Sequence, residues 1–402
     1  MDSSRLFRRV LASHLVQLAA LGATPALSLI ACGGDVVATS TTTSSGSSSG
    51  GGGAGQGGAG GAGGSSEPQL VKACMPLDET DPNGCPAAAD AGPKLAGNNC
   101  GMPADVKSGP ELDSMTNQCC YMVVAPDLDS CGVGRPFLVE ARALRATAEP
   151  GFAWQVTGAT APAVSDLAAD VRASLASAWT NDALLEHASV ASFGRFALEL
   201  LAVGAPSHLV EAAHHASLDE IRHARLCFAL AGAYAGEPVG PSAFPFGGAA
   251  LVSSDLALVA ANAAREGCIG ETLAAVQAAE QLGQATDPAV RAALAIIAED
   301  EARHAELAWR TVAWAVATGG APVRDAVAQV FASAESVLAG FTAGAPAGSE
   351  ALTAHGRLGG AELTAALRRA LDEVVRPAAA ALLAGAAPAR ARADALSCNE
   401  MV

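Results

Sequence analysis

The hexapeptide DEIRHA, residues 219–224, recurs as DEARHA, residues 300–305. Each copy sets a glutamate three residues before a histidine: Glu220 with His223, and Glu301 with His304. At helical spacing the two side chains of each pair point the same way. Each pair also falls on an apolar stripe, with Ala213, Cys227, Leu230 and Tyr234 around the first and Leu294, Ile297 and Thr311 around the second. Such a stripe faces a core. Carboxylates buried there without partners are strongly destabilising, and a bound cation removes that cost.

A metal site built on these pairs needs more carboxylates. Glu186 lies on a stripe with Val190, Phe193 and Leu200, and folding the chain back at the connector VGAPSH brings it level with Glu220. The segment REGCIGET offers two candidates. Glu266 shares a stripe with Ile269, Leu273 and Val276. Glu271 is surrounded by Gly267, Cys268 and Gly270, whose small size leaves room for a ligand cluster. Residues five apart are about 140° apart on an α-helix, so the two cannot serve as ligands in the same way. The residues alone leave the choice open. One glutamate from each of two helices plus a Glu-x-x-His from each of two others is a dinuclear carboxylate ligand set.

At Glu186, Glu220/His223, Glu266 or Glu271, and Glu301/His304, the chain resembles the ferritin-like di-iron carboxylate superfamily, over residues 165–318. The doubled DExRH is similar to the motif of its rubrerythrin- and oxygenase-like members. GCIGET resembles a third-helix segment of a tRNA-hydroxylase branch, which implies Glu271 as the ligand, with Glu266 as the alternative. The resemblance implies two iron ions, or iron with manganese. It implies O2 or peroxide as co-substrate, together with an unknown small molecule or electron donor, and no catalytic residue beyond the metal ligands. Nothing in the chain resembles a flavin or iron–sulfur reductase module. The competing expectation is a non-catalytic iron- or manganese-binding surface protein.

The remaining charges of the repeat have a reading of their own. A metal-bound histidine usually donates its second N–H to a carboxylate. Asp219 and Asp300 are suited to this, each reaching across to the opposite histidine, with Arg222 and Arg303 balancing the aspartates. His187 points about 100° away from Glu186 on a helix and is expected in a polar interior or at the surface. His214 and His215 are expected to be exposed, and Trp309 and Trp314 to serve packing.

Four long helices must position the ligands, at about 165–203, 207–235, 252–283 and 287–318. Short connectors follow the first and third, and GEPVGPSAFPFGG joins the second to the third. Short, long, short is the connection pattern of two helical hairpins joined by a crossover. The expected fold is therefore mainly α, a ferritin-like four-helix bundle. Further helices are expected within 319–402, near 323–343 and 360–385, with Pro377 kinking or capping the last.

The N-terminal third has a different character. Residues 1–32 read as an export signal, with Arg5, Arg8 and Arg9 before an apolar stretch. The ending LIAC resembles a bacterial lipobox and makes Cys32 the lipidation site; a twin-arginine signal at Arg8-Arg9 is the weaker reading. Residues 33–66 are a disordered Gly/Ser-rich tether. Residues 67–134 hold Cys74, Cys85, Cys100, Cys119, Cys120 and Cys131 among frequent Pro, Gly, Asn and Asp, which reads as a small, loop-rich disulfide region of open pairing. Cys227 and Cys268 read as buried thiols, and Cys398 has no evident partner. The expected location is the bacterial outer membrane or cell surface, with the periplasm as an alternative, held by a lipid anchor only. The net charge of -16 argues against nucleic acid as a partner.

Overall fold

Alanine and leucine dominate the second half of the chain, and the computed structural model is mainly helical. It describes residues 3–21, 70–76, 84–88, 91, 106–113, 118–124, 134–139, 142–156, 160–246, 252–335, 338 and 349–385. Cys32, Cys100, Cys131, Cys398 and the tether 33–66 lie outside the described residues.

Helix α1 (Ser3–Leu21) comes first. Strands β1 (Leu70–Pro76), β2 (Val106–Asp113) and β3 (Gln118–Val124) then form an antiparallel sheet in the order β1-β3-β2. The cysteine-rich stretch thus differs from the loop-rich reading. β3, QCCYMVV, is a short apolar run that buries Cys119, Cys120, Tyr121 and Val123, and its cysteines anchor both neighbours. Cys74 pairs with Cys120 directly across the β1–β3 ladder, and Cys85 pairs with Cys119. Two short antiparallel pairings follow: β4 (Phe137–Val139) with β5 (Arg142–Leu144), and β6 (Ala148–Pro150) with β7 (Val239–Pro241).

The long helices are α2 (Ala169–Ala202), α3 (Ser207–Ala235), a third rod, and α6 (Pro288–Gly319). The third rod runs from α4 (Leu256–Asn262) through a π-helix (Ala263–Glu271) into α5 (Thr272–Gln284). α2 packs along α3, the π-helix and α5 pack along α6, and α3 also meets α6. Their ends carry recognisable stops. Asp255 accepts from the Ala257 and Leu258 amides, Asp287 accepts from the Ala289 and Val290 amides ahead of Pro288, and Gly236 takes the left-handed conformation after α3. α7 (Ala321–Ala332), α8 (Glu350–Ala354), α9 (Gly360–Ala370) and α10 (Arg376–Gly385) are the remaining α-helices among the described residues. Pro377 is the second residue of α10, at the junction of a π-helix and an α-helix. A π-helix at Leu371–Val375 precedes it, and its wider turn accommodates a residue that cannot donate a backbone bond.

The core has two large apolar clusters. One holds Leu175, Trp179, Phe228, Tyr234, Val290 and Leu294; the other holds Phe193, Leu200, Leu209, Ile269, Trp309 and Val312. Along α2 and α6 the chain passes from the first cluster to the second, and along α3 from the second to the first, so α3 runs opposite to both. At each of these crossings stands a candidate ligand: Glu186, Glu220 with His223, and Glu301 with His304. The charged residues therefore occupy the layer between two apolar cores.

Candidate metal centre

The structure brings six sequence candidates to one place. Glu186, Glu220, His223 and Glu301 form one group, and Glu220, Glu271, Glu301 and His304 form another. Within each group one donor atom per residue lies within 4.8 Å of the others. Glu220 and Glu301 belong to both, so they stand where bridging carboxylates would. Both histidines turn Nδ1 inward. His223 Nδ1 is 3.4 Å from Glu301, 3.6 Å from Glu186 and 3.7 Å from Glu220. His304 Nδ1 is 3.1 Å from Glu220 and 3.7 Å from Glu301.

Most of these atoms are sealed from water and lack a hydrogen-bond partner. The unpartnered set includes Glu220 Oε2, both oxygens of Glu271, Glu301 Oε2, and the Nδ1 of His223 and His304. Buried polar atoms are rarely left unmatched, and here they converge on one another. Protons supply part of the missing positive charge. Burial, with Glu220 alongside, raises the Glu186 carboxyl well above its ordinary value; burial and Glu301 do the same to Glu271. Burial would also raise Glu301, but the two imidazoles beside it, His223 and His304, hold it well below the usual range. Burial by itself would depress both imidazoles. The Asp300 partner of His223 and the Asp219 partner of His304 outweigh it, and both rise well above normal.

The outward nitrogens are held crosswise. His223 Nε2 meets Asp300 Oδ2 at 2.9 Å, and His304 Nε2 lies 3.5 Å from Asp219 Oδ2. Each aspartate thus reaches the histidine of the other repeat. Arg222 and Arg303 close the ring: Arg222 bonds Asp219 at 3.0 Å and also Asp300, and Arg303 bonds Asp300 and lies 3.4 Å from Asp219. An Nε2 that donates to a carboxylate leaves Nδ1 as the lone-pair nitrogen, aimed at the cluster.

Glu266 belongs to neither group. It faces two arginines instead, 3.7 Å from Arg135 and 3.8 Å from Arg195. The 140° separation expected between Glu266 and Glu271 does not apply, because residues 263–271 form a π-helix. Its i→i+5 bonds place residues five apart about one turn above each other. Both carboxylates accordingly reach Arg135, whose Nε is 3.5 Å from Glu271 Oε1. The room beside Gly267 and Gly270 is also taken differently from the expectation of a ligand cluster. A Cβ at Gly270 would lie 2.4 Å from the Gly134 carbonyl oxygen, and one at Gly267 would lie 2.3 Å from Ala308 Cβ. The glycines admit the Gly134–Arg135 backbone and the α6 surface. Sequence reasoning passed over Arg135 and Arg195. Arg135 sits in a short non-helical stretch, GRPF, with no periodicity to mark it, and Arg195 is one cation on a long helix.

The other sequence candidates take up different surroundings. His187 packs edge-on against Trp154 with ring centroids 4.7 Å apart, and burial lowers its pKa. His214 and His215 are exposed. Trp309 is fully buried, stacks on Phe331 and donates to Thr272 Oγ1 at 3.3 Å. Cys227 and Cys268 are buried free thiols.

Comparison with protein-family models found no match, and comparison with curated proteins and with solved structures gave no significant match.

Proposed function

We propose that the chain is a ferritin-like protein whose four long helices form a bundle around a dinuclear metal centre, with iron, or iron and manganese, as the resident ions. The observation that carries this reading is the convergence of unpartnered buried donors on two overlapping groups that share Glu220 and Glu301. The donor chemistry fits. Four carboxylates balance two divalent cations, and two imidazoles add borderline nitrogen ligands of the kind that suit iron.

Two iron ions at this position would supply electrons to O2 or peroxide. The chain's own residues do the rest. Glu186, Glu220, Glu271 and Glu301 bind, and as the ions enter Glu186 and Glu271 give up the protons that burial makes them hold. Asp300 keeps the proton on Nε2 of His223 through a hydrogen bond, and Asp219 faces Nε2 of His304 at 3.5 Å, so both Nδ1 atoms stay turned to the cluster. The two apolar clusters on either side exclude water. We further place the protein outside the cytoplasm, processed and lipidated at Cys32 and set off from the membrane by the 33–66 tether.

Metal analysis and an optical spectrum of protein purified with its metals test the first part, with two ions per chain expected. The activity is tested by O2 and H2O2 consumption by Fe(II)-loaded protein, expected to exceed that of free Fe(II). Two bound ions with no faster consumption would favour the non-catalytic metal-binding reading. Folded protein that takes up no metal would overturn both.

A further inference from the structure

Arg135 is the cation nearest to either group that belongs to neither half of the repeat. Its side chain is 2% exposed. Phe193 and Phe196 cover the guanidinium, at 4.7 Å and 4.2 Å from the ring centroids, and Ser189 Oγ bonds its backbone oxygen at 2.9 Å. The arginine is thus fixed in place by aromatic faces and by its own main chain. It meets two carboxylates, Glu266 at 3.7 Å and Glu271 at 3.5 Å. Neither oxygen of Glu271 has a hydrogen-bond partner, and Arg135 Nε is likewise without one. Arg135 therefore faces Glu271 at near-contact distance without a completed hydrogen bond.

This makes the two metal positions unequal. The group around His223 takes Glu186 as its own carboxylate, and the cation facing Glu186 is His223 itself. The group around His304 takes Glu271, which has a permanent guanidinium beside it. A carboxylate next to a fixed cation has less negative potential to offer a second one. Glu266 moderates the effect, since it and Arg195 share the same charge cluster.

We propose that Arg135 is a positioning residue that ranks the two metal positions. It competes for Glu271 with the ion at the His304 position, so the His223 position fills first. This rests on the two-ion reading above. It assigns a role to a residue outside the ligand set, and it explains why the π-helix turns Glu266 toward the same arginine as Glu271.

The test is a titration of metal-free protein with Co(II), followed by calorimetry and by the visible spectrum. Wild type should bind two ions in resolved steps, and Glu271→Gln should abolish the second step while sparing the first. In the Arg135→Met/Glu266→Gln double variant, which removes one charge of each sign, the second step should tighten at least about tenfold, the smallest effect expected of a cation in contact with a carboxylate. Glu266→Gln alone should do the opposite and weaken the second step, because it leaves Arg135 with Glu271 as its carboxylate partner. Simple loosening of the site would move both variants the same way, and that result overturns the proposal. So does a gap between steps that neither variant changes. If wild type takes up no Co(II), the two-ion reading falls and the proposal with it. If it takes up two with the gap unmoved, only the proposal falls.

Discussion

The Glu-x-x-His pairs place acid and base so close that the site has an internal proton balance. Folding raises the pKa values of His223 and His304 well above the ordinary imidazole value of 6.5. The stability they contribute is fully present below that value and is lost as pH rises through the raised one. Glu186 and Glu271, raised by burial and by neighbouring carboxylates, act in the same direction. Asp300, drawn down to about 2 by His223 and Arg222 against the effect of burial, acts oppositely: its contribution holds above the ordinary value of 3.8 and is lost as pH falls through about 2. Above about pH 6.5, the ordinary imidazole value, the metal-free protein should therefore melt at lower temperature as pH rises. Ligation needs these groups deprotonated, so the added stability from Mn(II) should grow over the same range. Melting curves with chelator and with Mn(II) check both trends, and a metal-free Tm that is flat or rising with pH would refute the balance. Asp300→Asn, which keeps the shape but removes the acceptor charge facing His223, should weaken metal binding about 10- to 100-fold. The double substitution Glu220→Ala/Glu301→Ala should abolish it, as read by metal content after dialysis. At this scale the sequence was most informative. Glutamate and histidine at i and i+3 share a face in any α-helix, and two copies limit the ways one core can receive them. The crossed aspartates also followed from the repeat. Arg135 did not, because its role depends on what folds over it.

The helices themselves were legible from apolar periodicity and from Asp-Pro and Gly punctuation. The exception is the third rod. Residues 263–271 carry no residue that demands a π-helix, and the same segment reads equally well as α. Its surroundings are close: the Gly134 carbonyl, Arg135 and Ala308 leave no room for a Cβ at Gly267 or Gly270. Gly270→Ala should cost about 1–3 kcal/mol, since its Cβ has no space. Gly283→Ala in α5 meets nothing within 4 Å and should stabilise by about 0.4–1 kcal/mol through the unfolded chain. Urea denaturation separates the two; equal effects would mean that the close approach at Gly270 is not a real constraint. The three-stranded sheet is the other element not foreseen. Its short strands are broken by turn residues, and pairing between β1 and β3 depends on long-range contacts and on Cys74 meeting Cys120.

The molecule as a whole adds one packing relation that composition did not indicate. α1, expected as an export leader, lies against α6, α5, α10 and the second π-helix and buries Leu11, Leu15 and Ala19. Its Arg8 is buried between Glu280 and Glu373. No helix among the described residues is long and apolar enough to cross a membrane. Processing at Cys32 would remove α1 and leave Glu280 with Arg369, 3.4 Å away. None of the six candidate ligands bonds α1. A chain beginning at residue 32 should therefore keep the wild-type metal stoichiometry while its Tm falls by roughly 5–10 °C, the loss expected for a few buried apolar side chains. Loss of metal uptake on truncation would show instead that α1 is needed to hold the centre together.

The sequence by itself determined that two carboxylate–imidazole pairs must enter a helical core, and that further glutamates must join them. That much follows from helical periodicity and from the cost of burying charge, which act locally and wherever the chain goes. Only the tertiary structure brings Glu271, and not Glu266, into the carboxylate–histidine cluster, an arrangement that rests on the π-helix and on the Gly134–Arg135 segment packed against it. The same contact placed Arg135 beside one donor group and not the other, an asymmetry that two nearly identical hexapeptides could not reveal.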